Sequence, residues 1–95
     1  MKKINHLKIG RRTIRIEAKG LDNLVKSLGN EFNDICDQLL ITKGKIITLG
    51  IGKSGHIAQK VSATLSSTGS PSNFINAAEA LHGDIGGINK SDKVL

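Results

Sequence analysis

Apolar residues recur along this chain with two different periods, and the switch between them divides it. Leu21, Leu24, Val25, Leu28, Phe32, Ile35, Cys36 and Leu39 follow i, i+3, i+4, i+7 spacing, the pattern of a helix with one buried face. The stripe keeps its register across Gly29-Asn30, which predicts one kinked helix or two. Before it, residues 8–19 are basic with Ile9, Ile14 and Ile16, a weaker pattern of a helix packed on one side only. Lys43-Gly44 supplies a helix stop, a cation in the last turn and a glycine just beyond it.

The period then changes. Ile46-Ile47-Thr48-Leu49 is a short β-branched run without polar alternation, which suits a strand covered on both faces, as in a parallel sheet. Gly50-Ile51-Gly52-Lys53-Ser54-Gly55 follows at once. Ser54 is placed to cap the next helix, whose expected buried face is Ile57, Ala58, Val61 and Leu65, and Gly69 with Pro71 closes it. Phe74-Ile75 reads as a second strand, parallel to the first across the crossover helix. Asn76-Ala77-Ala78-Glu79 matches a capping box, with Asn76 bonding forward to the Glu79 N–H. A short helix through His82 should end at Gly83, and Lys93-Val94-Leu95 begins a third apolar strand. Two and a fraction strands against the usual five or six lead to the expectation that this is the front part of a larger domain, truncated after the start of the third strand.

Charge changes this picture less than its total suggests. Of the net +6 over 95 residues, all lies in residues 1–19, where seven cations face Glu17 alone. Residues 20–95 balance seven lysines against seven carboxylates. A solvated basic helix face accounts for the arm, so no nucleic-acid partner is expected. The single cysteine, Cys36, lies in phase with the helical stripe and reads as a small core residue. No signal peptide and no run of membrane-spanning length is present, so the expected location is cytoplasmic, without a membrane partner.

The candidate chemistry centres on residues 50–55. Glycines allow close backbone approach, and free N–H groups at a helix start attract an anion, phosphate above all. A P-loop would need a glycine at position 47, which is Ile47. Gly50, Gly52 and Gly55 satisfy the dinucleotide pattern GxGxxG, but the acidic residue it wants at the end of the next strand is missing from Asn73-Phe74-Ile75-Asn76.

A third reading rests on three longer motifs. GIGKSGHIAQK, TLSSTGSP and AEALHGDIGGI, in this order from about Gly44 onward, resemble the sugar isomerase (SIS) domain of bacterial arabinose-5-phosphate isomerases. The resemblance implies an α/β fold, a flavodoxin-like three-layer αβα sandwich on a parallel sheet. Residues 1–43 would form an N-terminal helical segment and residues 44–95 a partial SIS phosphosugar-binding domain. It also implies interconversion of D-arabinose 5-phosphate and D-ribulose 5-phosphate, a step towards the Kdo sugar of lipopolysaccharide, in a homo-oligomer that is a tetramer in the family.

Residue by residue, the resemblance makes Lys53 the catalytic candidate, stabilising the oxyanion of an enediol formed between C1 and C2. It makes Gly52, Ser54, Gly69, Ser70 and His82 substrate-binding candidates, while helix capping, a helix stop and a last-turn position are the simpler explanations of Ser54, Gly69 and His82. His56 and Thr68 belong to the motifs without an assigned role. Glu79 is kept as structural, and the family's proton-transferring residues and serine-rich phosphate loop are expected beyond Leu95, so an inactive fragment is expected. Where the family reads His-Pro before Ala-Glu-Ala, this chain has Asn76-Ala77. That removes a histidine associated with zinc in relatives, so no metal and no cofactor are expected. The alternative function is a non-catalytic, regulatory phosphosugar-binding module.

Overall fold

The computed structural model describes residues 2–95, which form two compact units, the first ending at Asp34 and the second running Ile35–Leu95. The first unit is dominated by helix α1, His6–Ser27. Asn5 starts it, its Oδ1 accepting a hydrogen bond from the Lys8 N–H at 3.0 Å. Leu28 ends it by turning to an extended conformation before Gly29, and helix α2, Asn30–Leu40, begins anew. The apolar stripe is therefore carried by two helices. The second stops at Leu40, earlier than the Lys43-Gly44 signal suggests, because the Thr42 hydroxyl takes the Gln38 carbonyl (2.8 Å) and the Thr42 N–H bonds to Leu39.

In the second unit, strands β1 (Ile46–Gly50), β2 (Ser72–Asn76) and β3 (Lys93–Val94) form a wholly parallel sheet in the order β2-β1-β3. This is the opening of the flavodoxin-like order 2-1-3-4-5. Ile46 and Ile47 are 3% and 1% exposed. Neighbouring strand residues point to opposite faces, so their joint burial means that β1 is covered on both sides, as its unbroken apolar run requires.

Helix α3, Gly52–Ser67, crosses from β1 to β2. Its inward face is not the expected one. Gly55 and Ser62 are its buried residues, whereas Ile57 is 67% and Val61 39% exposed. The face that meets the sheet is Gly55, Ala58, Ser62 and Leu65, small and polar enough for the helix to come close. Hydrogen bonds fix it there. The buried Thr48 hydroxyl donates to the Ala58 carbonyl (2.9 Å), Ser62 Oγ and Ser72 Oγ lie 2.9 Å apart, and Ser72 Oγ donates to the Ile46 carbonyl (2.6 Å). Periodicity weighted towards large apolar residues could not find a face of this kind.

Beyond β2 come the short helix α4, Ala77–Ala80, and a 3-10 turn, Asp84–Gly87. The capping box at Asn76 is only half formed. Its Oδ1 accepts from the Ala78 N–H (2.9 Å), two residues on rather than three, and among the described residues no hydrogen bond returns from the Glu79 side chain. Asp92 secures β3, its two carboxylate oxygens accepting from the Lys45 N–H (2.7 Å) and the Asn89 N–H (2.8 Å). These two backbone donors, Asn89 first, hold the Asp92 carboxyl below the ordinary carboxylate range.

Candidate functional site

The carboxyl end of β1 turns into α3 within two residues. Gly50 closes the strand, Ile51 is extended (φ −138°, ψ 150°), and Gly52, with φ +60°, is the first helical residue. The turn is tight because its two outer glycines touch. A Cβ on Gly50 would stand 2.8 Å from the Gly55 Cα and 2.9 Å from both the Gly55 nitrogen and the Ser54 carbonyl oxygen. The first function of Gly50 and Gly55 is thus internal, letting helix and strand approach, with the Phe74 ring close beneath Gly55. Gly52 faces open space and supplies a left-handed conformation.

Ser54 does not cap the helix. It is the third helical residue, and the capping position belongs to Ile51, which offers no side-chain acceptor. The consequence is chemical. The first N–H bonded within the turn is that of Gly55, to the Ile51 carbonyl at 3.1 Å. The N–H groups of Gly52, Lys53 and Ser54 have no partner among the described residues and sit at the exposed start of a 16-residue helix. Their partial positive charge and the exposed Lys53 ammonium on the same turn give an electrostatically positive edge suited to an anion, at the carboxyl end of a parallel sheet, the end at which ligands of open α/β sheets bind.

Parallel pairing places one more element at that edge. Gly50 of β1 is in register with Asn76 of β2, so α4 also leaves from there, leading to His82, which is exposed. Gly69 and Ser70 are elsewhere. They lie between the end of α3 and β2, where Ile46 pairs with Ser72, at the amino edge of the sheet. Sixteen residues of α3, about 24 Å at 1.5 Å per residue, separate them from Lys53. Gly69 has φ +99° and ends the helix, and Ser70 donates its N–H to the Leu65 carbonyl (2.9 Å). Ser70 also borders an apolar hollow with Cys36, Leu39, Leu40, Ile46 and Leu65, where Cys36 is half-buried with a free thiol. Within one chain the structure therefore gathers Gly52, Lys53 and Ser54, puts His82 on a segment leaving the same edge, and sets Gly69 and Ser70 apart. No group of three or more His, Cys, Asp or Glu side chains is placed to hold a metal among the described residues. No described helix is long and apolar enough to cross a membrane.

Residues 39–95 match the SIS domain family model. The chain is 49% identical over 84 residues to the arabinose 5-phosphate isomerase KdsD of Pseudomonas aeruginosa, covering 88% of this chain and 26% of that protein. It is 45% identical over 89 residues to the arabinose 5-phosphate isomerase GutQ of Escherichia coli K12, covering 94% and 28%. Among solved structures it superposes on an Escherichia coli CFT073 protein in complex with arabinose 5-phosphate, at TM-score 0.90 and 36% identity, over 99% of this chain and 50% of that one. A putative sugar-phosphate isomerase from Listeria monocytogenes gives TM-score 0.89 at 26% identity with the same coverage. The chain spans about a quarter of the curated relatives' length. With a matching family model over more than half its residues, a parallel sheet in the expected order and the glycine turn at its carboxyl edge, the chain belongs to the SIS domain family.

Proposed function

We propose that this chain is the phosphosugar-binding front of an aldose-ketose isomerase that interconverts D-arabinose 5-phosphate and D-ribulose 5-phosphate, a step in lipopolysaccharide precursor synthesis in the cytoplasm. The observation that carries the reading is the exposed turn at Gly52–Ser54, whose three N–H groups have no partner among the described residues and lie beside the Lys53 ammonium. Identity to two arabinose 5-phosphate isomerases and the superposition on a protein holding arabinose 5-phosphate support it.

The isomerisation moves a proton between C1 and C2 through an enediol, so negative charge builds on the sugar oxygens. In this reading Lys53 stabilises that charge, Gly52 and Ser54 offer their N–H groups to the ligand, and His82 contacts the sugar from the α4 side. Gly69 and Ser70, at the other edge, take part only where a second copy supplies them, which fits a homo-oligomer. Glu79, the only carboxylate in α4, is exposed and has no hydrogen bond to the turn. In this reading no carboxylate of α4 stands at the turn to move the C1–C2 proton, so these 95 residues bind sugar phosphate without efficient proton transfer.

Incubation with arabinose 5-phosphate, with ribulose 5-phosphate followed by NMR and binding by calorimetry, tests both parts. Binding with little turnover is expected. Robust turnover would sink the claim of inactivity, and absence of binding would sink the claim of a phosphosugar site.

A further inference from the structure

Helix α1 turns a loose excess of charge into an ordered one. At 100° per residue, Lys8, Arg11, Arg12, Arg15 and Lys19 fall within an arc of about 100° on its circumference. All five are exposed, and Lys8, Arg11 and Arg15 line one hollow together with Asn5 and Leu7. The two acids of α1 do little to neutralise them. Glu17 lies on the far side of the helix, and Asp22 shares the arc only beyond Lys19, four residues before Lys26, which it offsets. Along the sequence these cations read as a solvated face; on the helix they form a ridge about 16 Å long at 1.5 Å per residue. Leu7, Ile14, Leu21 and Val25 occupy a separate arc, centred roughly 110° away. Whatever α1 packs against takes that apolar arc, because burying a row of unpaired cations is far more costly.

We propose that this ridge binds the phosphate backbone of duplex DNA, without preference for sequence. A line of cations is complementary to a line of phosphates, whereas a single small anion would satisfy only the three at the hollow. The shape agrees. A helix about 10–12 Å across enters the major groove of B-form DNA, roughly 12 Å wide, while the major groove of duplex RNA is too narrow for it. Single strands are held by aromatic stacking as well as charge, and α1 has no aromatic residue. The ridge is built of Lys and Arg alone, which fix a protein on the backbone and carry no sequence information through those contacts. A lipid surface suits α1 less well, because an interfacial helix wants cations along both borders of its apolar stripe, and the border away from the ridge carries Glu17 instead. The inference does not rest on the sugar-phosphate reading.

Fluorescence anisotropy of a labelled DNA duplex of about 20 base pairs, titrated with the full chain at several salt concentrations, tests it. The expected Kd at near-physiological salt is roughly 1–100 µM. Four or five phosphate contacts give a log–log salt slope of about −4, a loss of roughly two orders of magnitude between 50 and 200 mM salt. Arg11→Ala with Arg15→Ala weakens binding roughly tenfold or more and reduces the slope by about two, while far-UV circular dichroism shows the helix retained. Lys60→Ala with Lys90→Ala removes the same charge from exposed positions outside α1 and leaves both quantities unchanged. Duplexes of different sequence bind alike, and duplex RNA binds more weakly. A slope near zero, or equal losses in the two double variants, overturns the proposal. So does tighter binding to duplex RNA or to phosphatidylserine vesicles than to DNA.

Discussion

Gly50→Ala puts the packing of the glycine turn under direct strain. The added methyl would stand 2.8–2.9 Å from three backbone atoms of Ser54 and Gly55, where ordinary contact begins at 3.4 Å. About 0.5 Å must therefore be found by moving the first turn of α3 off β1, because no flexible side chain stands in the way to yield. Overpacking of this kind costs about 1–3 kcal/mol. Gly50 is not among the residues with positive φ, so alanine also gains roughly 0.4–1 kcal/mol from a less free unfolded chain. The net expectation is a loss of about 1–2 kcal/mol, read by urea unfolding with circular dichroism. Gly86→Ala is the control, since nothing lies within 4 Å of its Cβ position and its φ is not positive. Equal stability of the two variants would refute the idea that the turn is set by glycine-to-glycine contact.

Other expectations follow from single contacts. Thr48→Val keeps the shape of a buried side chain but removes its bond to the Ala58 carbonyl, so a loss of about 0.5–1.5 kcal/mol is expected on urea unfolding. Asp92 titrates below its ordinary value in the folded chain, so its contribution to stability is present above the unfolded carboxylate range and fades as pH falls through the folded value. Thermal midpoints should therefore drop on acidification below about pH 4, and Asp92→Asn should remove part of that dependence. Gly52→Ala forces a left-handed conformation on alanine at about 1–2 kcal/mol, with no clash to relieve, so it should destabilise without the displacement of α3 expected for Gly50→Ala.

The sequence makes the strands legible because Ile46-Ile47 and Phe74-Ile75 are short β-branched or aromatic runs between strong breakers, and the sheet is parallel because a helix intervenes. It marks the tight glycine turn between β1 and α3 as well, through glycine spacing around Lys53. It misleads where contact is made by small residues. Ile57 and Val61 look like core and are exposed, while Ser62 and Gly55, which look like surface and turn, are buried. Ser54 looks like a cap because serine favours that position, yet the left-handed Gly52 starts the helix two residues earlier. Gly69-Ser70 sit within motifs that read continuously with the Lys53 turn, but a whole helix separates them in space. Linear proximity carries no information about which edge of a parallel sheet a loop occupies.

The central claim is that Gly52, Lys53 and Ser54 receive the sugar phosphate. An amide-resolved NMR titration of the ¹⁵N-labelled chain with arabinose 5-phosphate, repeated on Lys53→Ala, tests it most directly. The account expects the largest shifts at the Gly52, Lys53 and Ser54 amides, saturating with ligand, and markedly weaker binding in the variant with its fold intact, since Lys53 is exposed. Shifts confined to the Gly69-Ser70 edge, or a Lys53→Ala titration indistinguishable from the original, would contradict it.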